Sequence, residues 1–362
     1  MQTTREAQNN DRKNGSSMIW IRADANREIG TGHVMRCLSI AVELQKCGQE
    51  ALFILADDEA AALLSARGQK YVVLHTDYSR PEEELELLLP MLSQKRPELL
   101  LTDSYFVTPR YLEEVGKYTH TVYMDDKFSF PCLVDAVINY NIYGELLPYR
   151  EEALPRNRKF FLGCAYAPLR EEFREISYQV KDSAKDVLIT TGGSDKYNLA
   201  WKVLQCALSD TDGKKLQYHV VSGSFNPHLP ELTAVSEKHA NVHIYQNVRN
   251  MAELMKQCDI AVTAGGSTMY ELCAVGVPIV CFSFVDNQEK IVETFAEKGL
   301  VCYGGNYLRE KEELPKRVTE HVWLLAESKR LREEYSHREK KLVDGKGAER
   351  LAKALIELAQ EN

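Results

Sequence analysis

The sequence predicts an α/β protein made of two Rossmann-like domains that face each other across a cleft, followed by C-terminal helices. Three observations carry that expectation. At 362 residues the chain is longer than one domain usually needs. Short apolar runs alternate with longer amphipathic ones, the pattern of parallel strands joined by crossover helices. Each half also places a glycine loop after its first strand, Ile29-Gly-Thr-Gly-His33 in one and Thr191-Gly-Gly-Ser-Asp195 in the other.

In the first half, Met18–Ala23 reads as a strand that ends in the loop 24–32. Apolar Val34, Cys37, Leu38, Ala41 and Leu44 then recur at helical spacing up to Lys46. Ala51–Leu55, Tyr71–Leu74, Leu99–Thr102, Thr121–Met124 and Ala136–Ile138 read as further strands, with helices over Glu82–Leu92 and Arg110–Tyr118. Between 145 and 180, Pro148, Pro155 and Pro168 among charged residues mark a connection between domains. In the second half, strands are expected at Asp186–Thr190, Tyr218–Ser222, Val242–Tyr245, Ile260–Ala264 and Pro278–Phe282. Helices are expected at Asn198–Leu208, Met251–Gln257, Thr268–Val275 and Gln288–Lys298. From Leu314 the chain is highly charged, with Val318, Val322, Leu325 and later Leu351, Leu355 and Leu358 at helical spacing, the pattern of terminal helices. The expected division is a flexible tail over 1–17, a first domain over 18–165, a second over 166–305 and a helical extension over 306–362.

The composition, 44% hydrophobic and 27% charged, is that of a soluble globular protein. A formal net charge of −8 argues against an extended nucleic-acid surface, which needs a basic face. It does not exclude an anionic ligand, because helix N-termini hold phosphate through backbone N–H groups. Nine cysteines lie between Cys37 and Cys302 with no C-x-x-C pair, which suggests free thiols in a reducing compartment. The N-terminus lacks the apolar core of a signal peptide, and the apolar run from Leu272 to Val285 is too short to span a bilayer. A cytoplasmic protein without stable membrane insertion, nucleic-acid partner or obligate protein partner is expected.

Two stretches bear chemistry. Between the first strand and helix, Gly30 and Gly32 let backbone turn sharply and a ligand come close, and His33 stands at the helix start. The positive end of the helix dipole disfavours imidazolium there, so His33 is expected to be neutral and able to accept a proton. A G-x-G without a third glycine, taken alone, reads more readily as a plain tight turn with His33 only a helix-start residue. In the second half, Ala264-Gly-Gly-Ser-Thr-Met-Tyr-Glu271 joins a strand to a helix. Ser267 is expected to cap that helix, leaving N–H groups of Thr268 and Met269 for a diphosphate. Glu271 lies one turn further on the same face, where a carboxylate accepts hydrogen bonds from ribose hydroxyls. Gly192-Gly193 with Ser194 and Asp195 is a second candidate phosphate or interdomain loop. A capped helix with a solvated Glu271 is the plainer alternative.

With both stretches in hand, the chain resembles the glycosyltransferase-B superfamily, and more closely the UDP-2,4-diacetamido-2,4,6-trideoxy-β-L-altropyranose hydrolase family of pseudaminic acid biosynthesis. The carriers in the first half are Arg22-Ala-Asp24, Ile29–His33 with Arg36, Thr102-Asp-Ser-Tyr105, Met124-Asp-Asp126 and Ile138-Asn-Tyr-Asn141. They continue as Tyr166-Ala-Pro-Leu-Arg-Glu-Glu-Phe173, Thr191–Asp195, Gly265-Gly-Ser-Thr268 with Glu271, and Asp286-Asn-Gln288. The resemblance implies metal-independent hydrolysis without a cofactor: water attacks C1 of a UDP-linked sugar, and UDP leaves with inversion. It implies His33 as the general base and Tyr105 over the sugar or leaving group. Asn287 and Gln288 would contact sugar or phosphate, while Ser267, Thr268 and Glu271 would hold diphosphate and ribose. The backbone near 248–251 would read the uracil edge. Asp24, Gly30, Gly32, Asp126, Asn141 and Gly193 complete the expected substrate-binding set, with Asp24, Asp103, Asp125 and Asp126 as polar wall or orienting partners of His33. Two other readings stay open: an inverting glycosyltransferase using a UDP-sugar donor, and a non-catalytic nucleotide-sugar binder.

Overall fold

The computed structural model describes residues 18–131, 133–151, 158–209, 215–223 and 225–361. The expected tail over 1–17 lies outside them. Between successive strands of the first half, a turn or helix returns the chain to the same end of the sheet. The order is β1 (Met18–Ala23), α1 (Gly32–Lys46), β2 (Glu50–Leu55), α2 (Ala61–Ser65), β3 (Lys70–Val73), α3 (Pro81–Lys95), β4 (Leu99–Asp103), α4 (Pro109–Gly116), β5 (His120–Met124), β6 (Ala136–Asn139) and β7 (Lys159–Leu162). These strands form a seven-stranded sheet in the order β3-β2-β1-β4-β5-β6-β7, paired in parallel throughout.

The second half runs β8 (Asp186–Thr190), α5 (Leu199–Ser209), β9 (Gln217–Val221), α6 (Leu229–Lys238), β10 (Val242–Tyr245), α7 (Met251–Gln257), β11 (Ile260–Ala264), α8 (Ser267–Val275), β12 (Ile279–Ser283), α9 (Asp286–Glu297) and β13 (Cys302–Asn306). Its six-stranded sheet has the order β10-β9-β8-β11-β12-β13, again parallel. Every residue of β4, β11 and β12 is buried, as expected of parallel strands covered on both faces. Three helices close the chain: α10 (Leu314–Glu327), α11 (Lys329–Leu342) and α12 (Gly347–Ala359). Among the described residues no helix is long and apolar enough to cross a membrane.

Two compact units result, and their boundaries differ from the expected ones. One holds residues 18–139, Leu147–Leu162 and 348–361; the other holds Tyr140–Leu146 and Gly163–Gly347. The proline-rich connection contains β7, a short Lys-Phe-Phe-Leu strand hidden among charges. The helices of the expected extension pack onto the two units. Leu314, Val318, Val322 and Leu325 of α10 sink into the core built by Val187, Ile189, Val203 and Val280, and α12 belongs almost wholly to the first unit. β13 escapes a strand pattern because it carries Gly304 and Gly305, residues of low strand preference. Packing requires the first of them: a Cβ at Gly304 would stand 2.5 Å from Cγ2 of Val318, so glycine lets α10 close on the sheet.

The first unit also buries a charged group. Arg22 donates from Nε and Nη2 to Glu84 at 2.7–3.0 Å and pairs through Nη1 with Asp24. Tyr111 donates its hydroxyl to Glu84 at 2.7 Å. Burial acts to discharge Arg22, but the facing carboxylates of Asp24 and Glu84 raise its pKa overall.

Candidate active site

In open parallel sheets, ligands bind outside the carboxyl ends of the strands where the strand order reverses. In the first sheet that point lies between β1 and β4, and in the second between β8 and β11. The four segments that leave these strand ends hold the glycine loops and the helix starts with the most chemistry.

In the first unit, β1 runs into the loop that carries Gly30. Gly30 has φ +74°, a left-handed conformation that favours glycine, and its N–H donates to Asn26 O at 2.8 Å. The side-chain oxygen of Asn26 accepts the N–H groups of Glu28 and Ile29, both at 3.0 Å, so the loop is held from within. Gly32 is the first residue of α1 and His33 the second. Across the switch point, β4 delivers Asp103 at its last residue, fully buried. Asp103 Oδ1 lies 2.6 Å from Nδ1 of His33. Arg36, one turn further along α1, donates Nε to Asp103 Oδ2 at 2.6 Å and Nη2 to Oδ1 at 2.5 Å. Its Nη1 reaches both oxygens of Asp126 at 2.9–3.0 Å. Tyr105 donates to Asp126 Oδ2 at 2.9 Å, and its ring meets His33 edge-on with centroids 4.5 Å apart.

This arrangement decides the chemistry of the imidazole. Burial alone would raise the pKa of Asp103, but the Arg36 guanidinium and His33 outweigh it and hold the carboxyl well below the usual range. An ionised carboxylate only accepts, so Nδ1 of His33 carries the proton. In neutral imidazole the lone pair then sits on Nε2, the nitrogen of a general base. His33 is buried, 6% exposed.

The second unit offers an uncapped helix. α8 follows β11 through Gly265-Gly266; Gly266 is its N-cap, no side chain caps it, and no acidic residue lies in its first turn. Ser267 is therefore not the cap that the sequence suggests but the first helical residue, exposed, followed by half-buried Thr268. The N–H of Met269 is also not free: it donates to Gly266 O at 3.0 Å. A helix start of this kind attracts anions through its dipole and first-turn N–H groups. Gly265 is fixed by a close approach, since a Cβ there would lie 2.5 Å from Val292 Cγ1 on α9. On α8, Glu271 is 17% exposed and accepts Arg170 Nη2 at 3.2 Å. Burial raises its pKa while Arg170 opposes that rise.

The remaining expected residues divide. Asp126 and Tyr105 join His33. Asp24 is committed to the fold, paired with Arg22 and accepting Ala56 N–H at 2.8 Å. Asn141 belongs to the second unit, buried, with its side-chain oxygen accepting the Tyr270 hydroxyl at 3.2 Å. Gln288, in the first turn of α9, accepts Phe284 N–H at 3.2 Å. The side chain of Asn287 lies outside the described residues. Gly193 sits in a loop where an added Cβ would meet nothing within 4 Å, and its carbonyl accepts the Phe225 N–H at 3.1 Å. Two residues on, Asp195 caps α5 by accepting Leu199 N–H at 2.7 Å and Ala200 N–H at 3.0 Å. That helix start is thus filled by the protein's own carboxylate, unlike α8. Replacing Asp195 with Ala should cost about 1 kcal/mol of stability, the usual worth of an N-cap, read as a fall in chemical-denaturation midpoint.

Sequence reasoning missed Arg170 as the partner of Glu271. The signal was the Arg170-Glu-Glu172 run, whose spacing says nothing about a helix one hundred residues away. Asp125 also turns inward: its Oδ1 accepts Lys127 and Phe128 N–H, and Oδ2 accepts the Tyr149 hydroxyl at 2.9 Å.

Comparison with known proteins adds to this geometry. The model of the glycosyltransferase family 28 C-terminal domain matches residues 187–354. The spore coat polysaccharide biosynthesis protein SpsG of Bacillus subtilis (strain 168) is 29% identical over 351 residues, 95% of this chain and 99% of its own. The UDP-2,4-diacetamido-2,4,6-trideoxy-β-L-altropyranose hydrolase of Campylobacter jejuni is 25% identical over 284 residues, 78% of this chain and 97% of its own. Among solved structures, MurG of Acinetobacter baumannii superposes with a TM-score of 0.67 at 13% identity, covering 94% of this chain and 99% of that one. The calicheamicin glycosyltransferase CalG4 does so with a TM-score of 0.63 at 15% identity, covering 94% and 98%. At such identities the likeness is one of fold. The fold is thus of the glycosyltransferase-B type, and in sequence the chain is similar to SpsG and to a UDP-2,4-diacetamido-2,4,6-trideoxy-β-L-altropyranose hydrolase.

Proposed function

We propose that the protein is an enzyme acting on a nucleotide sugar, and that it hydrolyses a UDP-linked diacetamido-trideoxy sugar at C1 in pseudaminic acid biosynthesis. The observation that carries this reading is the 2.6 Å contact between Asp103 and Nδ1 of His33 at the switch point of the first sheet. It presents Nε2 as a base whose tautomer is fixed before any substrate arrives. As a water oxygen bonds to C1, its proton passes to Nε2 and the C1–O bond to the diphosphate breaks with its electron pair on UDP. The attack is from the side opposite the leaving group, so the configuration at C1 inverts. The start of α8, with Ser267 and Thr268, supports the growing charge on the diphosphate, and Glu271 accepts the ribose hydroxyls. Asn287 and Gln288, at the start of α9, are the sugar or phosphate contacts in this reading. No metal or cofactor is invoked.

The test is incubation with the UDP-sugar and no acceptor. Release of UDP and free sugar in equal amounts, with the inverted anomer seen first by NMR, is expected. A second reading is favoured by the family 28 domain match and by the polysaccharide-biosynthesis relative: transfer of the sugar to an acceptor. UDP release only when an acceptor is added would replace hydrolysis by transfer. Tight UDP binding with no turnover under either condition would leave a nucleotide-sugar binder.

A further inference from the structure

The motif Tyr166–Phe173 has no part in the chemistry above, yet three of its residues converge on the nucleotide side of the second unit. Arg170 lies between two carboxylates, donating Nη2 to Glu271 Oε1 at 3.2 Å and pairing through Nη1 with Glu172 Oε1 at 3.0 Å. Glu172 Oε1 also accepts the N–H of Met251, the first residue of α7, at 3.0 Å. Phe173 is fully buried and its ring lies 5.1 Å beneath the Arg170 guanidinium. Arg170, packed over an aromatic ring, thus links the side chain on α8 through Glu172 to the start of α7.

From this geometry we infer that Arg170 is a positioning residue that makes the site selective for ribonucleotides over 2′-deoxyribonucleotides. The inference rests on Glu271 being the ribose acceptor. A carboxylate that receives two vicinal hydroxyls must be ionised and held in one rotamer, with one oxygen already satisfied and the other turned to the ligand. Arg170 serves both conditions: its Nη2 fills Oε1 and so holds the rotamer, and its charge offsets part of the burial that raises the pKa of Glu271. A protonated or rotating Glu271 would lose the preference for the 2′-hydroxyl while leaving diphosphate binding at α8 in place. The groups facing Glu271 that set its charge are Arg170 and Glu172.

The experiment is calorimetric titration of the full chain with UDP and with 2′-deoxy-UDP. The native protein should prefer UDP by about 10–100-fold, the worth of a hydrogen bond to a charged group. Arg170→Met should bring the UDP affinity close to that for 2′-deoxy-UDP while the latter changes little, and Arg170→Lys should restore part of the preference. Equal weakening of both ligands in Arg170→Met would mean that Arg170 serves the phosphates, and would overturn the inference. Unchanged preference in Arg170→Met would overturn it too. Glu271→Gln separates the two levels. Should that variant keep the full preference for UDP, Glu271 does not read the ribose and the underlying assignment fails. Should it lose the preference while Arg170→Met keeps it, only the role given to Arg170 fails. Should Arg170→Met not fold, Arg170→Lys, which keeps the charge but not the fork, decides by the same ratio.

Discussion

Replacing His33 with Asn should lower kcat/KM for UDP-sugar hydrolysis by about 10²–10⁴-fold, the usual contribution of a positioned general base. UDP affinity should be unchanged in the same variant, because the proposed nucleotide contacts come from α8 and not from α1. The measurement is initial-rate kinetics across pH beside calorimetric titration with UDP. Native-like turnover would remove His33 from the base role whatever the fold. A joint loss of turnover and UDP affinity would point instead to a wider disturbance, which a thermal melt would reveal.

Asp103→Asn is expected to have an effect of similar size by a different route. The carboxylate accepts from Nδ1 of His33 at 2.6 Å and from two nitrogens of Arg36. An amide there can turn its NH₂ toward Nδ1, which moves the imidazole proton to Nε2 and blocks the base. The expected loss in kcat is about 10²–10⁴-fold, with UDP affinity retained. Stability should fall as well, by about 3–5 kcal/mol, since one partner of a buried ion group is removed. The pH dependence has a definite sign. The folded-state pKa of Asp103 is depressed, so its contribution to stability is present above the ordinary carboxylate range. It is lost as pH falls through the lower folded value. Protonation of Asp103 should therefore cause no loss of activity above about pH 4, near the unperturbed aspartate value. An acid limb that disappears in Asp103→Asn without any fall in the plateau rate would contradict the orienting role.

The conditions that let these residues be found in the sequence differ from one to the next. β1, β8, β10, β11 and α7 have the bounds their apolar runs imply, because a buried parallel strand or a short amphipathic helix announces itself locally. β7 and β13 do not: one is four residues long beside charges, and the other carries two glycines, the first of which admits Val318 of α10. The same limit applies to the site. His33 after a glycine loop, and the glycine pair before α8, are visible because the backbone demands of a ligand-binding turn are written in adjacent residues. That Ser267 starts α8 instead of capping it depends on the backbone of Gly266, which takes the cap position without a side chain.

What the sequence determined by itself is therefore the local part: the alternation of strand and helix, the two glycine loops at strand ends, and the order of motifs that carries the resemblance. Tertiary structure alone decided which side chains meet. Asp103 faces His33 across 70 residues of chain, and Arg170 finds Glu271 across 101, because the switch point joins β1 to β4 and the second unit folds the 164–174 segment against α8. It also tied Asp24 to Arg22 and to the Ala56 N–H, and Asn141 Oδ1 to the Tyr270 hydroxyl. The physical reason is that hydrogen-bond partners in a buried site are chosen by proximity in space, and proximity between distant segments is a property of the sheet order, which no local pattern encodes.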